Sequence, residues 1–73
     1  MTPYHCWFFI AKVPQPSFRV LLADTDAEAR RLASLILRGS PLIERVEVWR
    51  DADFAFRLNQ HQVHLEMCRV GSI

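Results

Sequence analysis

Between Tyr4 and Ala11 the chain reads YHCWFFIA, with bulky residues on both alternating sets of positions, the pattern of a strand packed on both sides. Lys12 to Ser17 (KVPQPS) interrupts it as a loop, because Pro14 and Pro16 lack the amide that a sheet ladder needs. Phe18 to Ala23 (FRVLLA) predicts a second strand, with Phe18, Val20 and Leu22 on one face and Arg19 and Leu21 on the other. The short connection makes the two a hairpin.

The pattern then changes to a helical period. Thr25-Asp26-Ala27-Glu28 is a capping box, in which the Thr25 hydroxyl accepts from the Glu28 amide and the Glu28 carboxylate reaches back. Ala29, Leu32, Ala33 and Ile36 repeat on one side, and Leu35 and Leu37 widen the stripe. Asp26 precedes Arg30 and Glu28 precedes Arg31 at ion-pair spacing, the order the helix dipole favours. With Gly39 as a left-handed C-cap and Pro41 as a stop, the helix is expected over Asp26 to Arg38.

Glu44 to Asn59 predicts a second hairpin whose register can be argued. A three-residue loop, Asp51 to Asp53, sets Val48 against Phe56, Val46 against Leu58 and Glu47 against Arg57. One face is then wholly apolar, the other gains a cross-strand ion pair, and Trp49 falls opposite Ala55. The chain is thus an α+β domain: a four-stranded antiparallel sheet with one amphipathic helix on one face (ββαββ) over residues 1–59, followed by a tail, 60–73. The expected core is Cys6, Phe8, Ile10, Val20, Leu22, Ala29, Leu32, Ala33, Ile36, Val46, Val48, Phe56 and Leu58. Helix formers tilt the tail towards a helix, although Val63, Leu65 and Met67 also alternate as in a strand.

With Tyr4 to Ile10 opening the chain, Asp26-Ala27-Glu28-Ala29 starting the helix, and Glu47-Val48-Trp49 followed by Phe54 to Leu58, the sequence resembles a recurrent kind of short, uncharacterised bacterial protein built strand-strand-helix-strand-strand. That resemblance carries no activity to any residue. The Pro14/Pro16 loop and the long tail depart from it.

Composition narrows the classes. With 73 residues, 51% of them hydrophobic, and a net charge of +1, the chain is neither disordered nor long enough for two domains. Its longest apolar run, Cys6 to Ala11, is far short of a bilayer span, and Met1 to His5 has no basic residue with which to open a signal peptide. No membrane association and a cytoplasmic location are the expectation. Cys6 and Cys68 are then read as small buried hydrophobes. Only Gly39 and Gly71 occur, so no phosphate-binding loop can form, and no serine has the surroundings of a nucleophile. The chain is expected not to be an enzyme and to need no cofactor.

Three candidate sites are left. On a helix, His61, His64 and Cys68 fall on one side, so two imidazoles and a thiolate can converge on Zn²⁺. The plainer reading is a set of solvated tail residues. Eight of the nine basic residues are arginine, and Arg30, Arg31 and Arg38 on the exposed helix face, with Trp7, Phe9 and Trp49 as stacking surfaces, suit single-stranded nucleic acid. The interspersed acids and the lack of basic excess around the aromatics weigh against it. The third follows from counting faces: one helix covers one face of the sheet, leaving Trp7, Phe9, Leu21, Trp49 and Ala55 on the other. Wet sheet faces are normally polar, and so small a chain is marginal alone, so a homodimer packed through this face is the favoured expectation, with the chain's own tail laying Val63, Met67 and Val70 across it as the alternative.

Overall fold

A computed structural model describes residues 1–63. Strands β1 (Thr2–Ile10), β2 (Ser17–Ala23), β3 (Ile43–Arg50) and β4 (Asp53–Asn59) form one antiparallel sheet in the order β2-β1-β3-β4. Helix α1 (Asp26–Gly39) lies across one face. The sequence expectation of an α+β, ββαββ domain is what the chain adopts.

The core lies between sheet and helix. Tyr4, Cys6 and Phe8 of β1, Val46 and Val48 of β3, and Leu58 of β4 meet Ala29, Ala33 and Leu37 of α1, all buried. Alanines at the two central helix positions let the helix sit close to bulky strand residues. At the helix start, Thr25 is extended and its Oγ1 accepts from the Glu28 amide at 3.1 Å, as the capping box requires. The reciprocal bond comes from the Asp24 amide rather than that of Thr25, to Glu28 Oε2 at 3.4 Å. Tyr4, absent from the expected core, sends its hydroxyl to Asp26 Oδ1 at 2.5 Å, and Arg50 donates to the same oxygen at 2.9 Å. These bonds tie the first turn of α1 to β1 and β3.

The structure departs from the sequence reading at three places. The β1–β2 register pairs Tyr4 with Leu21 and His5 with Val20, so Leu21 and Ala23 face the helix and Phe18, Val20 and Leu22 face away. Residues 20–23 are apolar in both alternating sets, so periodicity could not choose the face. Arg19 falls on the helix side, but at a margin that α1 leaves open to water. In the second hairpin the expected pairs Val46–Leu58, Glu47–Arg57 and Val48–Phe56 all form, yet the loop holds two residues. Arg50 pairs with Asp53, Asp51 takes the left-handed conformation (φ 55°), and the extra residue becomes a bulge at Ala55. Trp49 therefore opposes Phe54, not Ala55. Finally, Gly39 continues the helix without a positive φ, and Ser40 is the C-cap, its amide donating to Leu37 O.

After β4 the chain enters a helical turn, 60–63, on the helix side of the sheet. The Gln60 Nε2 donates to Leu37 O (2.8 Å), Ser40 O (3.1 Å) and Ile43 O (3.0 Å), and Val63 is buried in the core.

Candidate functional site

The sheet face away from α1 is the most distinctive surface among the described residues. Across it run Phe18, Val20 and Leu22 from β2, His5, Trp7 and Phe9 from β1, Arg45, Glu47 and Trp49 from β3, and Phe54 and Arg57 from β4, as the strand registers require. Phe18, Val20, Leu22 and Phe54 are 47, 48, 56 and 52% exposed, values that a face packed within the monomer would not give. The aromatic rings form two groups. Phe18 lies 4.7 Å from Trp7 and 5.7 Å from His5 between centroids, and Trp49 meets Phe54 edge-on at 5.3 Å. Further along β1 and β3, beyond Trp7 and Glu47, the Arg45 guanidinium sits 4.0 Å above the Phe9 ring, a cation–π contact. Glu47 faces Arg57 across the strands, but no ion pair of 4 Å or less joins them among the described residues, so the expected cross-strand bridge is not made within the chain.

Of the expected interface residues, Trp7, Phe9 and Trp49 lie on this face. Leu21 does not: it pairs with Tyr4 and packs against the core on the helix side. Ala55 sits in the bulge and also packs against the core. Phe18, Val20, Leu22 and Phe54 take their place. The sequence shows that Phe18, Val20 and Leu22 share one parity with a bulky residue at every position, but with Leu21 and Ala23 apolar on the other parity it does not show that this row faces outward.

The other two constellations stand apart from this face. Arg30, Arg31 and Arg38 are exposed on α1, on the opposite side of the sheet, around a hollow of about 260 Å³ that Ser34 and Leu35 also line. The sheet separates them from Trp7, Phe9 and Trp49, so the arginines and stacking surfaces expected to act together do not share a surface. Arg30 also lies 6.0 Å from the Phe56 ring centroid. His61 is exposed, and its proposed co-ligands His64 and Cys68 lie outside the described residues. Among the described residues no three His, Cys, Asp or Glu side chains cluster as metal ligands. The Cys6 thiol is buried, and desolvation pushes its pKa up to about 11, despite an opposing backbone hydrogen bond from Leu21.

A second concavity, of about 340 Å³, opens on the helix side where α1 ends, with Phe8, Ile10 and Ile36 as its apolar lining and Ser17 and Arg19 from β2. It is continuous with the uncovered margin of β2. No helix of the described residues is long and apolar enough to cross a membrane. In comparisons with known proteins, no family model, no curated protein and no solved structure matches the chain.

Proposed function

We propose that this chain is a non-enzymatic interaction module that self-associates through the outer face of its sheet. The observation that carries this reading is the row Phe18, Val20 and Leu22, about half exposed and continuous with Trp7 and Phe9. Lone apolar side chains on a surface need no explanation, but a row of three beside tilted, touching aromatic rings has the character of an interface core. Arg45, Glu47 and Arg57 supply both signs of charge on the same face, and a second copy can answer Glu47 with an arginine.

Light scattering tests the reading. A mass twice that of the 8.5 kDa chain is expected, and Trp7→Glu should halve it while the circular dichroism of the fold persists. A monomeric mass for the unmodified protein at its highest soluble concentration would overturn the proposal.

A second reading, single-stranded nucleic acid on the same face, is favoured by Arg45 lying over Phe9 among exposed rings. It requires salt-sensitive binding of mixed-sequence oligonucleotides with quenching of Trp7 and Trp49, and fails if low ionic strength gives neither.

A further inference from the structure

The sheet has two edges, and the chain treats them differently. Strand β4 is guarded: it begins at Asp53, bulges at Ala55 and carries Arg57. At its end the Asn59 amide donates to Gln62 Oε1 at 3.2 Å, while Gln62 donates back to Asn59 Oδ1 at 2.9 Å. A bulge, charges and a side chain on the terminal backbone group are the devices that keep a sheet edge from pairing. Strand β2 lacks the bulge and the side chain on its terminal backbone group. It is a seven-residue run, Ser17–Ala23, with no proline inside it, no bulge and one charge, Arg19. Among the described residues no backbone bond outside the sheet ladders reaches it, and α1 leaves Ser17 and Arg19 exposed on its side. Its backbone groups on the side away from β1 have no partner within the described chain.

We propose that two copies of this chain join at this edge, their β2 strands pairing antiparallel about a two-fold axis at Val20 and fusing the two four-stranded sheets into one. The inference rests on the self-association reading above but places the contact at the edge of the sheet instead of across its face, so that here Trp7→Glu on β1 leaves the doubled mass unchanged. A two-fold axis perpendicular to the sheet keeps each side chain on its own face. On the outer face it sets Val20 against Val20 of the second copy and Phe18 against Leu22. On the helix side Arg19 meets Leu21 and Ser17 meets Ala23. All seven residues are thus paired, and the exposed row of one copy continues into that of the other.

The second copy is favoured as occupant for two reasons. On the outer face the apolar row of β2 is matched by its own reverse in this register, Val20 against itself and Phe18 against Leu22. The guarded β4 edge disfavours the head-to-tail joining of β2 to β4 that would grow a fibre, whereas β2 on β2 closes after two subunits.

Cross-linking and amide exchange test the proposal. In a Cys68→Ser background, with Cys6 buried, Val20→Cys places two thiols across the axis with Cβ atoms about 5 Å apart. Mild oxidation should then yield a covalent dimer. Leu22→Cys should not cross-link, because its counterpart lies about 13 Å further along the strand. In the unmodified protein, amide exchange followed by NMR should show protection at the β2 amides that point away from β1. A protein of doubled mass with rapid exchange at those amides would overturn the edge pairing and leave association through the face standing. A monomer would overturn both.

Discussion

Gln60 is where the returning chain closes the open end of α1, and replacing it gives the sharpest test of the packing. Its Nε2 carries two hydrogens and lies within 3.1 Å of three carbonyl oxygens, those of Leu37, Ser40 and Ile43, while its Oε1 is buried without a partner among the described residues. Gln60→Leu shortens the side chain by one bond and removes both donors. At about 1 kcal/mol net for each hydrogen bond the loss is about 2 kcal/mol. One feature reduces it: the unpartnered Oε1 disappears. The net expectation is a loss of about 1–2 kcal/mol, or a melting temperature lower by roughly 5–10 °C in a domain of this size. Gln60→Glu should be worse at neutral pH, because a carboxylate that can only accept faces three more acceptors. That arrangement raises the folded-state pKa of the new carboxyl above its unfolded value, so the penalty is absent below the unfolded pKa and grows as pH rises through the folded one. Melting curves followed by circular dichroism at pH 4 and 7 should therefore show the gap between the Glu and Leu variants narrowing in acid. If Gln60→Leu melts no lower than the unmodified protein, the three-carbonyl contact does not contribute to stability and the reasoning fails.

Gly39→Ala should raise the melting temperature by a few degrees, about 0.5 kcal/mol, since Gly39 is helical and an added Cβ meets nothing within 4 Å; a lower melting temperature would show a left-handed cap instead. The hydrogen bond to Asp26, then burial, raise the Tyr4 pKa against the opposing bond from Arg50, so the protonated hydroxyl stabilises the fold fully below pH 10 and loses that contribution as pH rises towards the folded value. Alkaline melting should fall less steeply in Tyr4→Phe, and identical pH profiles would count against the contact. With its pKa near 11 and no exposure, Cys6 should resist thiol reagents at pH 8 until the protein is unfolded, and a Cys68→Ser variant that reacts rapidly in native buffer would contradict that burial.

The helix and its start were legible in the sequence because both depend on neighbours a few residues apart: Thr25 and Glu28 for the cap, and Ala29, Ala33 and Leu37 for the buried stripe. The same holds for the pairs Val46–Leu58 and Val48–Phe56, where one parity is apolar and a one-residue slip would bury charge. Where the local pattern was degenerate, only the tertiary structure could decide. FRVLLA offers apolar residues on both faces, and it was pairing with β1, Tyr4 against Leu21, that turned Phe18, Val20 and Leu22 outward and moved the candidate interface towards β2. Likewise the surplus residue of the second hairpin fits either a longer loop or a bulge, and the left-handed Asp51 with the bulge at Ala55 settled it. The Tyr4–Asp26–Arg50 contact and the three bonds of Gln60 join residues 17 to 24 positions apart. No periodicity encodes such contacts, because they exist only after the helix has docked on the sheet and its two ends have been brought to the strands that hold them.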